Sequence, residues 1–249
     1  MKLKSRKVIL HITGIILIPV VWIALKYLDI ISDRYLPSIP SVIDAFVSIE
    51  PNILIHTYWS IIRLVIGFVG GTVIGIGLGL YLFKSNILNK LFYPGIQSIR
   101  SIPAAATVPF FLLWFGFEET GKYLLIFAGI AFNLAITTLE VLARIPEKYL
   151  ILFNSIQSSP RNNLNYFALP FVLEKILPTL RFSLSTAIGL VVISEFLGSQ
   201  VGLGYLIQTA RSTFSMNVIF ASMILFGIIN YTADKLLIAS WKKLIFWRI

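Results

Sequence analysis

The chain has 249 residues, of which 57% are apolar and only 13% charged, and its mean hydropathy is +0.86. A soluble domain carries about 25% charge, so a water-soluble globule is excluded. The net charge of +10 does not point to nucleic acid either, because a nucleic-acid face gathers its basic residues together and these lie scattered between apolar segments. With no cysteine and only His11 and His56 as imidazoles, the chain offers no disulfide framework, no thiolate nucleophile and no basis for a metal centre.

Lys2, Lys4, Arg6 and Lys7 precede an apolar run. This resembles a secretory signal, but the run is too long and lacks a small-residue cleavage site, so it is expected to be an uncleaved first transmembrane helix. A helix needs about 20 residues to cross about 30 Å of hydrocarbon. Six such helices fit the charge-sparse stretches, at about 8–28, 57–83, 97–117, 121–143, 171–197 and 214–239. The expected fold is therefore an all-α, multi-pass membrane protein forming one transmembrane domain over 1–249. With the N-terminus in the cytoplasm, only Lys26, Arg34, Arg63, Lys122 and Arg211 of the 21 basic residues fall in the outer half. That asymmetry sets the orientation.

After the first span, Ser41 with Asp44 three residues on makes a capping-box-like start, and Val42, Ala45, Phe46 and Ile49 recur at helical spacing. A short amphipathic helix is expected on the outer surface at about 41–50, ended by Glu50-Pro51 and entered through Leu36-Pro37-Ser38-Ile39-Pro40. In the second span, Gly71, Gly75 and Gly79 form a bare stripe, which allows close helix approach in lipid. Packing within the chain is the simpler use of that stripe; a subunit interface is the alternative.

Ser101, Pro103 and Pro109 open the third span. Two prolines this close remove helix hydrogen bonds, and a broken helix at membrane depth is tolerated where it lines a cavity or packs on protein. These three residues are candidates for a translocation path. The turn that follows, 116–123, nearly spells a phosphate-binding loop, but Tyr123 stands where a Ser or Thr hydroxyl is needed. A tight turn between spans accounts for its glycines without ligand chemistry.

The longest polar segment runs over 144–170. Tyr149, Leu150, Leu152, Phe153 and Ile156 supply one apolar helical face, and Ser159-Pro160 supplies a cap and first-turn proline for a second short helix. Such helices at the cytoplasmic face either dock onto another protein or lie on lipid headgroups. Two charges lie within apolar spans, Arg63 and Glu195. An ionised group in the bilayer costs a few kcal/mol, so these two are expected to pair, to face the path, or to snorkel to the interface.

Four stretches bring a family into view. Leu36-Pro37-Ser38 with Pro40-Ser41-Val42, Ser60-Ile61-Ile62-Arg63-Leu64 with Gly67, Arg100-Ser101-Ile102-Pro103 with Pro109 and Leu113-Trp114-Phe115-Gly116, and Ser194-Glu195-Phe196-Leu197-Gly198 with Gly202-Leu203-Gly204-Tyr205-Leu206-Ile207 occur in this order. Together they resemble the permease subunits of ABC importers of the nitrate/sulfonate/taurine type. The resemblance implies a type I importer permease in a prokaryotic cell membrane. It would work as a homodimer in lipid with two separate ATPase subunits and an external solute-binding protein. ATP and magnesium would sit on the ATPases, with no cofactor on this chain and no enzyme activity of its own. Nitrate, sulfonates, taurine, cyanate and vitamin precursors are the family's solutes, and Arg63 with Arg211 leans toward anions.

The resemblance also places an ATPase-coupling loop at about 146–170, where Phe153, Ser155, Ile156, Gln157, Ser159, Arg161 and Leu164 are the expected contact positions. Phe153, Ile156 and Leu164 are the expected apolar anchors. The motif's acidic residue falls at Ile151 and its glycine at Gln157, so both are missing; the loop has drifted with its own ATPase, or coupling is impaired. An ATPase-independent carrier or channel is the alternative function, and it would call for inverted repeats and further titratable groups that the sequence does not display.

Overall fold

The computed structural model describes residues 2–49, 53–155 and 164–245, and among these the secondary structure is helical throughout. Helix α1 spans Lys2–Tyr27. The chain then turns back on itself: Trp22 Nε1 donates to the Pro37 carbonyl at 2.9 Å, and Lys26 meets Asp33 at 2.7 Å. The outer helix α2 is Ile39–Ser48 rather than 41–50, and its cap is Ser38, whose hydroxyl accepts from Ser41 N–H. Ser41 lies inside the helix because Pro40 fits the first turn, where its missing N–H is harmless. Val42 and Ala45 are buried where α2 packs on the last helix. The expected stop at Glu50-Pro51 lies outside the described residues.

Helices α3 (Ile53–Lys84) and α6 (Glu119–Ala143) form the central pair. The glycine stripe explains why. A Cβ on Gly71 would sit 2.8 Å from the Phe127 carbonyl, one on Gly75 would sit 2.6 Å from the Ala131 carbonyl, and one on Gly79 would sit 2.5 Å from Thr138 Cβ. Lipid tails are as apolar as leucine, so helices associate in the bilayer through close packing, and this stripe is used inside the chain.

The expected span at 97–117 is not one helix. Helix α4 starts earlier, at Asn86 on the Ser85 cap, and runs Asn86–Ser101. The chain breaks at Ile102 and Pro103, makes a 3-10 turn over Ala104–Thr107 and continues as α5, Val108–Phe115, with a bend of 88° between the two halves. Gly116 then takes φ +84°, and a Cβ on Gly121 would collide with the Gly116 carbonyl, so turn geometry accounts for both glycines.

Beyond α6 come α7 (Glu147–Ser155), a π turn at Leu164–Ala168, and α8 (Leu169–Lys175). The fifth span, expected at 171–197, is split at Ile176 because Pro178 stands in the first turn of α9, Leu177–Gly198. Helix α10 (Leu203–Ser212) was not expected, and α11 runs Met216–Leu244. Among the described residues, the helices α3, α6, α9 and α11 are long and apolar enough to cross a membrane, and the bent α4 and α5 pair adds a fifth if counted as one crossing, against the six expected.

Candidate functional site

Positions 56, 60 and 63 fall on one stripe of α3, spaced by four and three residues, which aims His56, Ser60 and Arg63 in one direction. They converge on the junction between α9 and α10. Arg63 Nη1 donates to Glu195 Oε1 at 2.7 Å and to the Val201 carbonyl at 2.8 Å, while Nε and Nη2 clasp both oxygens of Glu119 at 2.7 and 2.6 Å. Lys122, one turn along α6, donates to Glu119 at 3.0 Å. The side chains of Arg63 and Glu195 have no exposed surface, and that of Glu119 is 33% exposed. Two cations and two carboxylates therefore balance, as a low-dielectric site demands.

The same residues hold the start of α10. Successive backbone N–H groups of Gly202, Leu203 and Gly204 donate to His56 Nδ1 at 3.0 Å, Ser60 Oγ at 2.9 Å and Glu195 Oε2 at 2.7 Å. Ser60 Oγ also donates to Glu195 at 2.8 Å. These N–H groups at the helix start have no intrahelical acceptor, so side chains of α3 and α9 supply one. Gly202, at φ +131°, lies so close to Glu195 that a Cβ would be 2.5 Å from Oε2; only glycine fits. Trp59 lies under the Arg63 guanidinium at 5.7 Å.

A second feature lies at the α4 and α5 break, where a cavity of about 740 Å³ opens between that break, α6 and α9. Ser101 and Pro103 line it. Pro109, exposed in the first turn of α5, does not border it. Arg63 and Glu195 take the pairing option and present no surface to a cavity.

In the coupling segment, Phe153 falls within α7 and Leu164 opens the π turn. Ser155 ends α7, its hydroxyl donating to the Ile151 carbonyl at 3.0 Å. Ile156, Gln157, Ser159 and Arg161 lie outside the described residues, as does the Ser159-Pro160 cap. Tyr149 packs on Phe167 and Phe171, with ring centroids 5.6 and 6.3 Å away. Trp241 Nε1 donates to the Leu173 carbonyl at 2.9 Å, joining α8 to α11. Sequence reasoning missed Glu119, Lys122 and His56 as partners in the cluster. The signal for the first two was their charge beside an apolar span.

Two of the family-like stretches thus meet at one buried cluster although Ser60 and Glu195 are 135 residues apart. Residues 71–239 match the family of binding-protein-dependent transport system inner membrane components. The chain belongs to that family. The permease is 30% identical to the putative aliphatic sulfonates transport permease protein SsuC of Bacillus subtilis, over 92% of this chain and 83% of that one. It is 26% identical to the taurine transport system permease protein TauC of Escherichia coli, over 98% and 91%. The inward-facing MetNI methionine ABC transporter matches with TM-score 0.63 at 18% identity, over 78% of this chain and 94% of that chain, which identifies the fold. The permease is a multi-pass inner membrane component of an ABC importer.

Proposed function

We propose that two copies of this permease pair across the membrane, receive a small sulfonate-like anion from an external solute-binding protein, and pass it along the cavity at the α4 and α5 break. Two separate ATPase subunits grip the 146–170 segment from the cytoplasm and carry the ATP and magnesium; the chain itself catalyses nothing. The observation that carries this reading is near full-length similarity to permeases named for aliphatic sulfonates and taurine, together with a cavity walled by the broken helix. Closure of the ATPases pushes α7 and the π turn. The rings of Tyr149, Phe167 and Phe171 and the bond from Trp241 to Leu173 pass that movement to α8 and α11, as a rigid-body transition. Phe153, Ser155, Ile156, Gln157, Ser159, Arg161 and Leu164 are the contact positions on this side.

The experiment is co-expression with a candidate ATPase and solute-binding protein from the same genome, followed by purification in mild detergent and cross-linking from Ser155→Cys. Recovery of two permeases and two ATPases, with a cross-link to the ATPase, is expected. A permease recovered alone, or one that takes up labelled taurine without ATP, overturns the reading.

A further inference from the structure

Helix α4 is set across its neighbours. Helix α5 runs alongside α6 in the opposite sense: a Cβ on Gly121 would lie 3.3 Å from the Phe111 carbonyl, and one on Gly129 would lie 3.3 Å from the Ala104 Cβ. The bend of 88° therefore turns α4 across the axis of α6. Ile96 of α4 is buried with Leu82, Ile136 and Leu139, and Arg100 reaches Glu140 at 3.4 Å. These contacts hold α4 against the last turns of α3 and α6, at the end that the excess of basic residues assigns to the cytoplasm. A helix perpendicular to membrane-crossing helices at that end lies in the plane of the bilayer surface.

The two sides of α4 differ in chemistry. At about 100° per residue, Ile87, Leu91, Phe92, Ser98 and Ile99 share an arc of about 140°. Ser98, the polar member, donates its hydroxyl to the Pro94 carbonyl at 2.9 Å, so it brings no free donor to hydrocarbon. The rest of the protein covers little of this arc: Ile87 is 78% exposed and Leu91 67%. Asn89, Lys90, Gln97 and Arg100 take the opposite arc. From Pro51 to Phe117 the sequence has no aspartate or glutamate. Lys84 and Lys90 are exposed and form no ion pair among the described residues. An isologous contact of α4 with a second copy would bring cations to cations. The cytoplasmic leaflet instead offers hydrocarbon to the arc and anionic phosphates to the lysines. We propose that α4 is a membrane-surface helix that binds anionic lipid, with Ile87, Leu91, Phe92 and Ile99 sunk into the acyl boundary and Lys84 and Lys90 on the headgroups. The placement requires α3 and α6 to cross the membrane and is independent of the cargo.

The chain has no cysteine, so single thiols report without background. Nitroxides on Ile87→Cys and Leu91→Cys, with Ser155→Cys as an exposed reference on α7, are read in nanodiscs for collision with oxygen and with nickel-EDDA. Oxygen should dominate at Ile87 and Leu91, and nickel at Ser155. Nickel dominance at the two α4 positions would place the arc in water, and low values for both reagents would place it against a second copy; either overturns the proposal. Headgroup preference is read from quenching of a bimane on Leu91→Cys by trace doxyl-labelled phosphatidylglycerol or phosphatidylcholine in a phosphatidylcholine nanodisc. A basic residue near the surface enriches anionic lipid about fivefold, so phosphatidylglycerol should quench several-fold more strongly. Lys84→Gln with Lys90→Gln should remove most of the excess, and Lys84→Arg with Lys90→Arg should keep it. Equal quenching by the two lipids, or a preference that Lys84→Gln with Lys90→Gln leaves unchanged, overturns the anionic-lipid site.

Discussion

Arg63 Nη1 lies 2.7 Å from Glu195 Oε1 with neither side chain exposed, so Glu195 has Arg63 as its counter-charge while both hold the start of α10. Removing one partner of a buried pair strands the other, at a cost of about 3–5 kcal/mol. Arg63→Met and Glu195→Gln should each lower thermal stability in detergent sharply. The double variant should lose less than the sum, with a coupling energy of about 1–3 kcal/mol in a thermal-denaturation cycle. Additive losses would mean the pair is not coupled. Swapping the charges is a poor rescue, because an arginine at 195 would face the Ser60 hydroxyl and the Gly204 N–H, both of which donate.

The clasp on Glu119 is second in weight. Its carboxylate is bidentate to Arg63 and one third exposed, so water can replace part of what a substitution removes. Glu119→Gln should destabilise less than Glu195→Gln, and Lys122→Met less than Arg63→Met, since Lys122 adds one bond to a carboxylate already held twice. Midpoints of detergent unfolding for the four variants check the order; a Lys122→Met loss as large as that of Arg63→Met would contradict it.

Glycines one turn or less apart on α3 should behave in opposite ways. At Gly75 a methyl would sit 2.6 Å from the Ala131 carbonyl, whereas at Gly77 it meets nothing within 4 Å. Backbone cannot yield as a side-chain tip can, so Gly75→Ala should part α3 from α6 and reduce the yield of folded permease. Gly77→Ala should be neutral or gain about 0.5–1 kcal/mol from helix propensity. Size-exclusion profiles and melting midpoints separate the two, and equal losses would show the stripe is not what packs.

What the sequence disclosed follows from the cost of exposing groups to lipid. Apolar length locates α3 and α6 to within about four residues, and α9 and α11 less closely because the span expected at 171–197 is divided at Ile176; Arg63 and Glu195 stand out because charge inside an apolar run demands a partner. Glu119 and Lys122 do not, because charges at a span end are ordinary. The spacing of Ser41 and Asp44 places the α2 cap at Ser41, whereas the helix starts on Ser38 because Pro40 belongs to its first turn and not to its entry. Helix α10 escaped because it is ten residues long and opens on Gly202-Leu203-Gly204, glycines that suggest a turn when their contact with Glu195 is unknown. The right angle of the break after α4 is not legible in the sequence: prolines reveal where hydrogen bonds are missing, but not the angle the packing selects.

Packing and proline can be separated at that break. Pro103→Ala restores an N–H, yet the Ile99 carbonyl it would reach already accepts from Ile102 at 3.0 Å, so straightening gains about 1 kcal/mol per added bond at most. Against it, Val108 and Leu112 are buried with Leu125 where α5 meets α6, and vacating a leucine site leaves a void worth about 2–5 kcal/mol. The bend should therefore survive the substitution. Spin labels at Ile87→Cys and Trp114→Cys, both largely exposed, report it by pulsed dipolar distance measurement. At about 1.5 Å per residue, straightening α4 and α5 into one rod would lengthen the separation by about 10 Å, whereas a retained bend leaves it nearly unchanged. A lengthened distance in Pro103→Ala would make the proline, and not the contact of Leu112 with α6, the cause of the break that shapes the cavity.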